Sequence, residues 1–239
     1  MSLLYFIRHG QAGTRQEYDA LSELGSTQAT LAGEHLATQG LRFRTVYAGL
    51  LRRQLQTAEL ARTACLGAGG ELTVITPDPV WNEFDLAAVY EAMAPRLAAD
   101  DPEFRRGYEE MQEAIAANED GVHRRWFPTD MAIVRAWLEG HYQLDGESWP
   151  DFKKRIARGV ETLRNSGHDG PVAVFTSATP MAIAASLALG VSDDRTILKL
   201  AGACYNTALT VLKTSPADLM LVQFNSIPHL ADPALRSFR

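Results

Sequence analysis

Leu3-Leu4-Tyr5-Phe6-Ile7-Arg8-His9-Gly10-Gln11 is an apolar run of strand length that ends abruptly in Arg-His-Gly. Continuous apolar residues without alternation predict a strand buried on both faces, as in a parallel sheet. Open α/β sheets bind ligands beyond the carboxyl ends of their strands. This strand would therefore deliver a cation, an imidazole and a glycine to a ligand-binding edge. The glycine lets the backbone turn there and come close to a ligand. An ordinary strand end with a surface Arg-His pair fits the tripeptide as well, so the rest of the chain has to choose.

Outward from residue 11, strands and helices alternate. Ser26-Thr27 reads as the cap of a helix reaching residue 39, with Ala29, Ala32 and Leu36 on one face and Gly40 as its stop. A strand is predicted over 45–48, a helix over 52–65 with Leu55, Ala58, Ala61 and Cys65 on one face, and a third strand over 72–75. This rhythm implies right-handed βαβ units. It breaks between residues 86 and 147, where helical patterns occur without a convincing strand. Asp101-Pro102 and Thr129-Asp130 look like helix starts there. The block reads as a charged, aromatic helical insertion over one end of the sheet. Ser148 with Asp151 resembles a capping box. Trp149, Phe152, Ile156, Val160 and Leu163 form the next helical stripe, stopped by Gly167. A buried strand over 172–176 and a helix over 180–189 follow. Segments 206–212 and 219–224 are close enough for a hairpin, which makes one of them antiparallel.

The 239 residues suit one large α/β domain with an insertion, or two small ones. A hydrophobic share of 46% and a charged share of 22% are those of a soluble globular chain. Net charge is −6, which argues against a nucleic-acid partner. No apolar run reaches membrane-spanning length. A strand beginning by residue 3 leaves no room for a signal peptide, so a cytoplasmic location is expected. Cys65 and Cys204 form no metal-like cluster and read as inert core thiols. No metal or other cofactor is expected.

Four loops should converge at the carboxyl edge. The first carries Arg8, His9, Gly10 and Gln11. The second opens the helix at Arg52-Arg53-Gln54-Leu55-Gln56-Thr57-Ala58, where an Arg beside free backbone N–H groups suits an oxyanion. The third is Trp81-Asn82-Glu83-Phe84-Asp85, an acid flanked by aromatics that can donate a proton. The fourth is Thr176-Ser177-Ala178-Thr179-Pro180, a turn able to cap its helix or to cradle an anion. Each also has a structural reading, as surface charge, core neighbour or cap.

Taken in order, these loops resemble the histidine phosphatase superfamily, the phosphoglycerate-mutase-like fold. Arg8-His9-Gly10 after the first strand matches its signature. So do Asp19-Ala20-Leu21-Ser22, Gly25 and Gln28-Ala29 before the first helix, and Arg53 with Gln56-Thr57-Ala58. Glu83 stands at the position of the family's acid. The likeness covers about residues 3–85 and 148–227. It implies a three-layer α/β sandwich with a mostly parallel, mixed central sheet and a helical insertion. It also implies a metal-independent phosphatase acting on a small phosphomonoester. In that reading His9 is the nucleophile and Glu83 the acid, while Arg8, Arg53, Gly10, Gln11, Ser177 and Ala178 hold the phosphoryl group. One departure is plain. The family's fourth strand ends in a second His-Gly, and Ser177 occupies that His position here. Arg52, Arg124 or Arg125 could supply the missing charge. A low-activity or inactive phosphate-binding protein, or a mutase, remains the alternative.

Overall fold

The computed structural model describes residues 2–15, 17–119, 121–123, 126–143, 145–168, 170–215 and 218–238. They form two compact units, Met1–Glu83 with Arg155–Arg239, and Phe84–Lys154. The larger unit contains β1 (Ser2–Arg8), α1 (Glu23–Thr38), β2 (Arg42–Phe43), β3 (Thr45–Ala48), α2 (Arg52–Gly67), β4 (Glu71–Leu72) and β5 (Thr76–Pro77). The smaller contains α3 (Leu86–Asp100), α4 (Pro102–Ala116) and α5 (Pro128–Leu138). Helix α6 (Trp149–Asn165) starts in the smaller unit and ends in the larger. The larger unit then continues with β6 (Val172–Thr176), α7 (Ala178–Leu189), α8 (Asp194–Ala203), β7 (Leu209–Thr214) and β8 (Leu219–Ser226).

The central sheet has the order β5-β3-β6-β1-β7-β8. Strand β1 pairs in parallel with β6, and β3 pairs in parallel with both β6 and β5. Strand β7 runs antiparallel to β1 and to β8, which makes the 209–226 hairpin the antiparallel element. Residues Leu4 to Arg8 of β1 are all buried, as an apolar strand between two neighbours must be. On one face Tyr5, Ile7, Ala173, Phe175, Leu209 and Val211 pack on Leu36 of α1 and Ala58, Ala61 and Cys65 of α2. On the other, Phe6 meets the edge of the Trp81 ring at 5.6 Å, and Gly159 of α6 packs on Trp81. This is a three-layer α/β fold with a mostly parallel sheet.

Several expectations are corrected. Helix α1 starts at Glu23, and Ser22 rather than Ser26 caps it, accepting from Gly25 N at 3.0 Å. Ser26 instead donates its hydroxyl to Ser22 O inside the helix. The predicted third strand over 72–75 is split in two. Glu71–Leu72 pairs with Arg42–Phe43 in a separate small sheet, and only Thr76–Pro77 joins the central one. Pro77 lacks a backbone donor, and an edge strand tolerates that. Helix α5 begins at Pro128, one residue early. Strand β7 begins at Leu209 rather than 206, because Thr207 takes a left-handed φ of 55° and cannot extend the ladder. Helix α8, capped by Asp193, had no counterpart in the sequence reading. Trp149, Phe152, Ile156, Val160 and Leu163 are all buried, as their spacing required.

The smaller unit is held by an aromatic cluster. Phe84 stacks on Trp137 at 4.5 Å, and Phe152 and Trp149 complete the group. Such pairs add about 0.5–1.5 kcal/mol each beyond their area burial. Among the described residues no helix is long and apolar enough to cross a membrane.

Candidate active site

Strands β1, β3, β5 and β6 run the same way, so the loops that follow them leave one edge of the sheet. The first of these loops is held from several sides. His9 N donates to Thr176 O at 2.8 Å. His9 O accepts from Thr207 N at 3.3 Å and from Asn206 Nδ2 at 3.2 Å. Gly10 N donates to Thr57 Oγ1 at 3.0 Å. A Cβ on Gly10 would lie 2.3 Å from Gly25 O, and one on Gly25 would lie 2.1 Å from Gln11 O. The first turn of α1 therefore presses directly on the loop, and only glycine permits it. Gln11 continues the brace, donating its backbone N–H to Gln28 Oε1 at 2.8 Å and accepting from Ser22 Oγ at 2.9 Å.

The imidazole is 2% exposed. Its Nδ1 lies 2.7 Å from Gly10 O, an atom that can only accept, so Nδ1 carries the proton. Its Nε2 then carries the lone pair and accepts a hydrogen bond from Arg53 Nε at 3.3 Å. Burial, then the guanidiniums of Arg53 and Arg8, push the His9 pKa well below the ordinary imidazole value, against the Gly10 carbonyl. The site thus holds a neutral, oriented imidazole between two cations.

Arg53 sits in the first turn of α2, with Nη1 2.9 Å from Asp19 Oδ1 and its guanidinium 4.9 Å from the Tyr18 ring centroid. The second oxygen of Asp19 accepts from Arg52 N at 3.2 Å. Asp19 therefore holds both the helix end and the Arg53 fork. Arg8 is also buried, and burial lowers its pKa while Glu83 acts in the opposite sense. Its Nη1 donates to Cys204 O and its Nη2 to Phe238 O at 2.7 Å. Its Nε, also buried, has no partner. The tail that supplies Phe238 O is fixed by Ser237, whose carbonyl accepts from Asn206 N at 2.8 Å.

In the third loop Trp81 O accepts from Thr176 Oγ1 at 2.6 Å and from Gln54 Nε2 at 3.1 Å. Arg155 Nη1 reaches Val80 O at 2.6 Å and Asn82 O at 3.1 Å. Half-buried Glu83 accepts from Thr179 N, in the first turn of α7, at 3.2 Å. That bond ties the third loop to the fourth. Ser177 is buried, precedes Ala178 at the start of α7, and accepts from Gln54 Nε2 at 2.8 Å. Arg52 is exposed, and Arg124 and Arg125 lie outside the described residues. No group of three or more His, Cys, Asp or Glu placed to hold a metal occurs among the described residues.

All eight residues singled out from sequence lie on these loops of one unit. Asp19 and Thr57 were quoted within the signature motifs but given no role, and Gln54 and Asn206 were not singled out. Residues 53, 54 and 57 lie on the same helical arc as Ala58, Ala61 and Cys65. Polar side chains at the start of a core-facing stripe were the available signal.

A mostly parallel sheet here carries a buried imidazole and two guanidiniums at its carboxyl edge, a chemistry suited to an oxyanion. The family model of the histidine phosphatase superfamily, branch 1, matches residues 4–125 and 108–227. The chain belongs to that superfamily. Among solved structures, Bacillus stearothermophilus YhfR has a TM-score of 0.63 at 16% identity, covering 96% of this chain and 99% of its own. A mutant of Entamoeba histolytica phosphoserine phosphatase, in complex with phosphoserine, has a TM-score of 0.60 at 16% identity, covering 96% and 100%. Mycobacterial hydrolase 2 has a TM-score of 0.58 at 22% identity, covering 98% and 94%. At these identities the likeness is one of fold. No curated protein matches the chain.

Proposed function

We propose that this protein hydrolyses a small phosphomonoester through a phosphohistidine at His9, without a metal ion. The supporting observation is the tautomer. Nδ1 is tied to Gly10 O, so Nε2 is the basic nitrogen; it accepts from Arg53 Nε at 3.3 Å, and a phosphoryl group that draws Arg53 onto its oxygens releases that lone pair for attack. In the first step Nε2 attacks phosphorus in line. The N–P bond forms, the bond to the ester oxygen breaks, and protonated Glu83 gives its proton to the departing alkoxide. In the second step water attacks phosphorus, its proton passes to Glu83, and the N–P bond breaks to release phosphate.

Arg53 and the unpartnered Nε–H of Arg8 offer charge and donors to the nonbridging oxygens. The Ala178 N–H and the Ser177 hydroxyl complete the cradle; the N–H groups of Gly10 and Gln11, expected there from sequence, are instead given to Thr57 Oγ1 and Gln28 Oε1 and shape the loop. The Phe84–Lys154 unit enters the chain directly after Glu83. We read it as a helical insertion within one phosphatase domain.

The test is a panel of phosphomonoesters, phosphoserine among them, run on wild type and on His9→Ala with and without EDTA. Turnover by wild type that survives EDTA and vanishes in His9→Ala is expected. Turnover retained by His9→Ala, or restored only by added metal, contradicts the proposal. Tight phosphate binding with no turnover by either protein leaves a binding protein on this scaffold.

A further inference from the structure

Gln54 follows Arg53 on α2 and is fully buried. Its amide has one orientation that fits its neighbours. Trp81 O can only accept, and it lies 3.1 Å from Nε2; Leu51 N–H can only donate, and it lies 3.4 Å from Oε1. Nε2 therefore turns its other proton to Ser177 Oγ, 2.8 Å away. A hydroxyl that receives a hydrogen bond keeps its own proton for a different acceptor. Gln54 cannot be that acceptor, because the atom facing Ser177 is the amide nitrogen. Ser177 directly follows Thr176, whose carbonyl accepts from His9 N and which pairs with Arg8 across the sheet. The hydroxyl thus stands on the strand end neighbouring the imidazole.

We infer that Gln54 is a positioning residue that fixes the Ser177 hydroxyl as a hydrogen-bond donor to the phosphoryl oxygens. The identity of that acceptor rests on the phosphatase reading above. A neutral donor held by an amide then stands at the end of β6. The amide packs closely on Gly49, where a Cβ would lie 1.9 Å from Gln54 Oε1. An imidazole at position 177 would meet that amide. Donor and brace are therefore exchangeable only as a pair.

The experiment measures inorganic phosphate affinity by calorimetry and turnover of para-nitrophenyl phosphate. Gln54→Leu and Ser177→Ala should each weaken phosphate binding by about tenfold. The double variant should fall within about twofold of either single, because both remove the same donor. Losses that multiply, to about a hundredfold in the double variant, overturn the inference. A second pair decides the matter if Gln54→Leu does not fold. Ser177→His alone should bind phosphate less well than wild type. Adding Gln54→Ala should recover about tenfold or more and give the pH profile of phosphate binding a new ionisation near neutrality. Ser177→His that behaves alike with and without Gln54→Ala overturns the inference. Wild type that binds phosphate but turns over no ester sinks the phosphatase reading, and the affinity cycle still decides Gln54. A protein that binds no phosphate overturns both.

Discussion

The loops after β1 and β6 leave adjacent parallel strands in register, with Arg8 opposite Thr176, yet they are built on different principles. The first ends in a titratable ring held from several sides: Gly10 O fixes its tautomer, the backbones of Thr176 and Thr207 and the Asn206 side chain fix its peptide, and Arg53 Nε reaches its Nε2. The second ends in a hydroxyl held by one side chain, Gln54, from another element. Backbone bracing fixes an atom whatever the neighbouring side chains are. Side-chain bracing makes the function of one position depend on a second. The first loop, held by backbone and by several side chains, therefore depends less on any one residue than the fourth, whose hydroxyl is held by Gln54.

That contrast orders the expected effects of substitution. His9→Ala should lower turnover by roughly 10⁴-fold or more, the scale of losing a covalent nucleophile. In wild type the acid limb of kcat/KM should lie below the ordinary imidazole range, because burial and two guanidiniums keep His9 neutral. A limb at about pH 6.5 would mean that the ring is not held as described. Arg53→Ala removes charge from both the oxyanion and His9. A loss of about 100-fold in kcat/KM with weaker vanadate inhibition is expected. Unchanged inhibition would place Arg53 outside the site.

Glu83→Gln should slow alkyl phosphates by about 100-fold and activated aryl phosphates by only a few fold, since only a basic leaving oxygen needs the proton. Equal slowing of both would remove Glu83 as the acid. Ser177→Ala, in the fourth loop, should cost only about tenfold, the scale of one neutral donor. A loss as large as that of His9→Ala would erase the contrast between the loops.

The smallest effect concerns the brace behind the first loop. Thr207 Oγ1 lies 2.9 Å from His229 Nε2, and burial, then His35, push the His229 pKa down to about 4. The unfolded chain binds a proton there below about pH 6.5 that the native state refuses until about pH 4. Native stability should therefore fall as pH falls through that window, by about 2 kcal/mol between pH 7 and 5. His229→Asn should flatten this part of the dependence in urea titrations. An unchanged slope would show that His229 does not titrate in that window.

The sequence made the first loop legible because an apolar run ending in Arg8-His9-Gly10 carries both its strand and its chemistry in consecutive residues. The same holds for β6 and the stripe of α6. Asp19 and Gln54 were harder. Their roles depend on contacts with residues 33, 34 and 123 positions away, and local pattern does not encode such pairs. The tail failed for the same reason, since nothing near Phe238 announces that its carbonyl meets Arg8. The third strand was misplaced because Thr73, Val74 and Ile75 look extended, while the central sheet uses only the two residues after them.

The central claim is that His9 Nε2 carries the phosphoryl group. Rapid quench of wild type with a substrate it turns over, followed by peptide mapping, tests it most directly. An acid-labile, base-stable phosphoryl group on the peptide containing His9, absent from His9→Ala, is the predicted result. A phosphoryl group that survives in His9→Ala, or one mapped to another residue, would contradict the account.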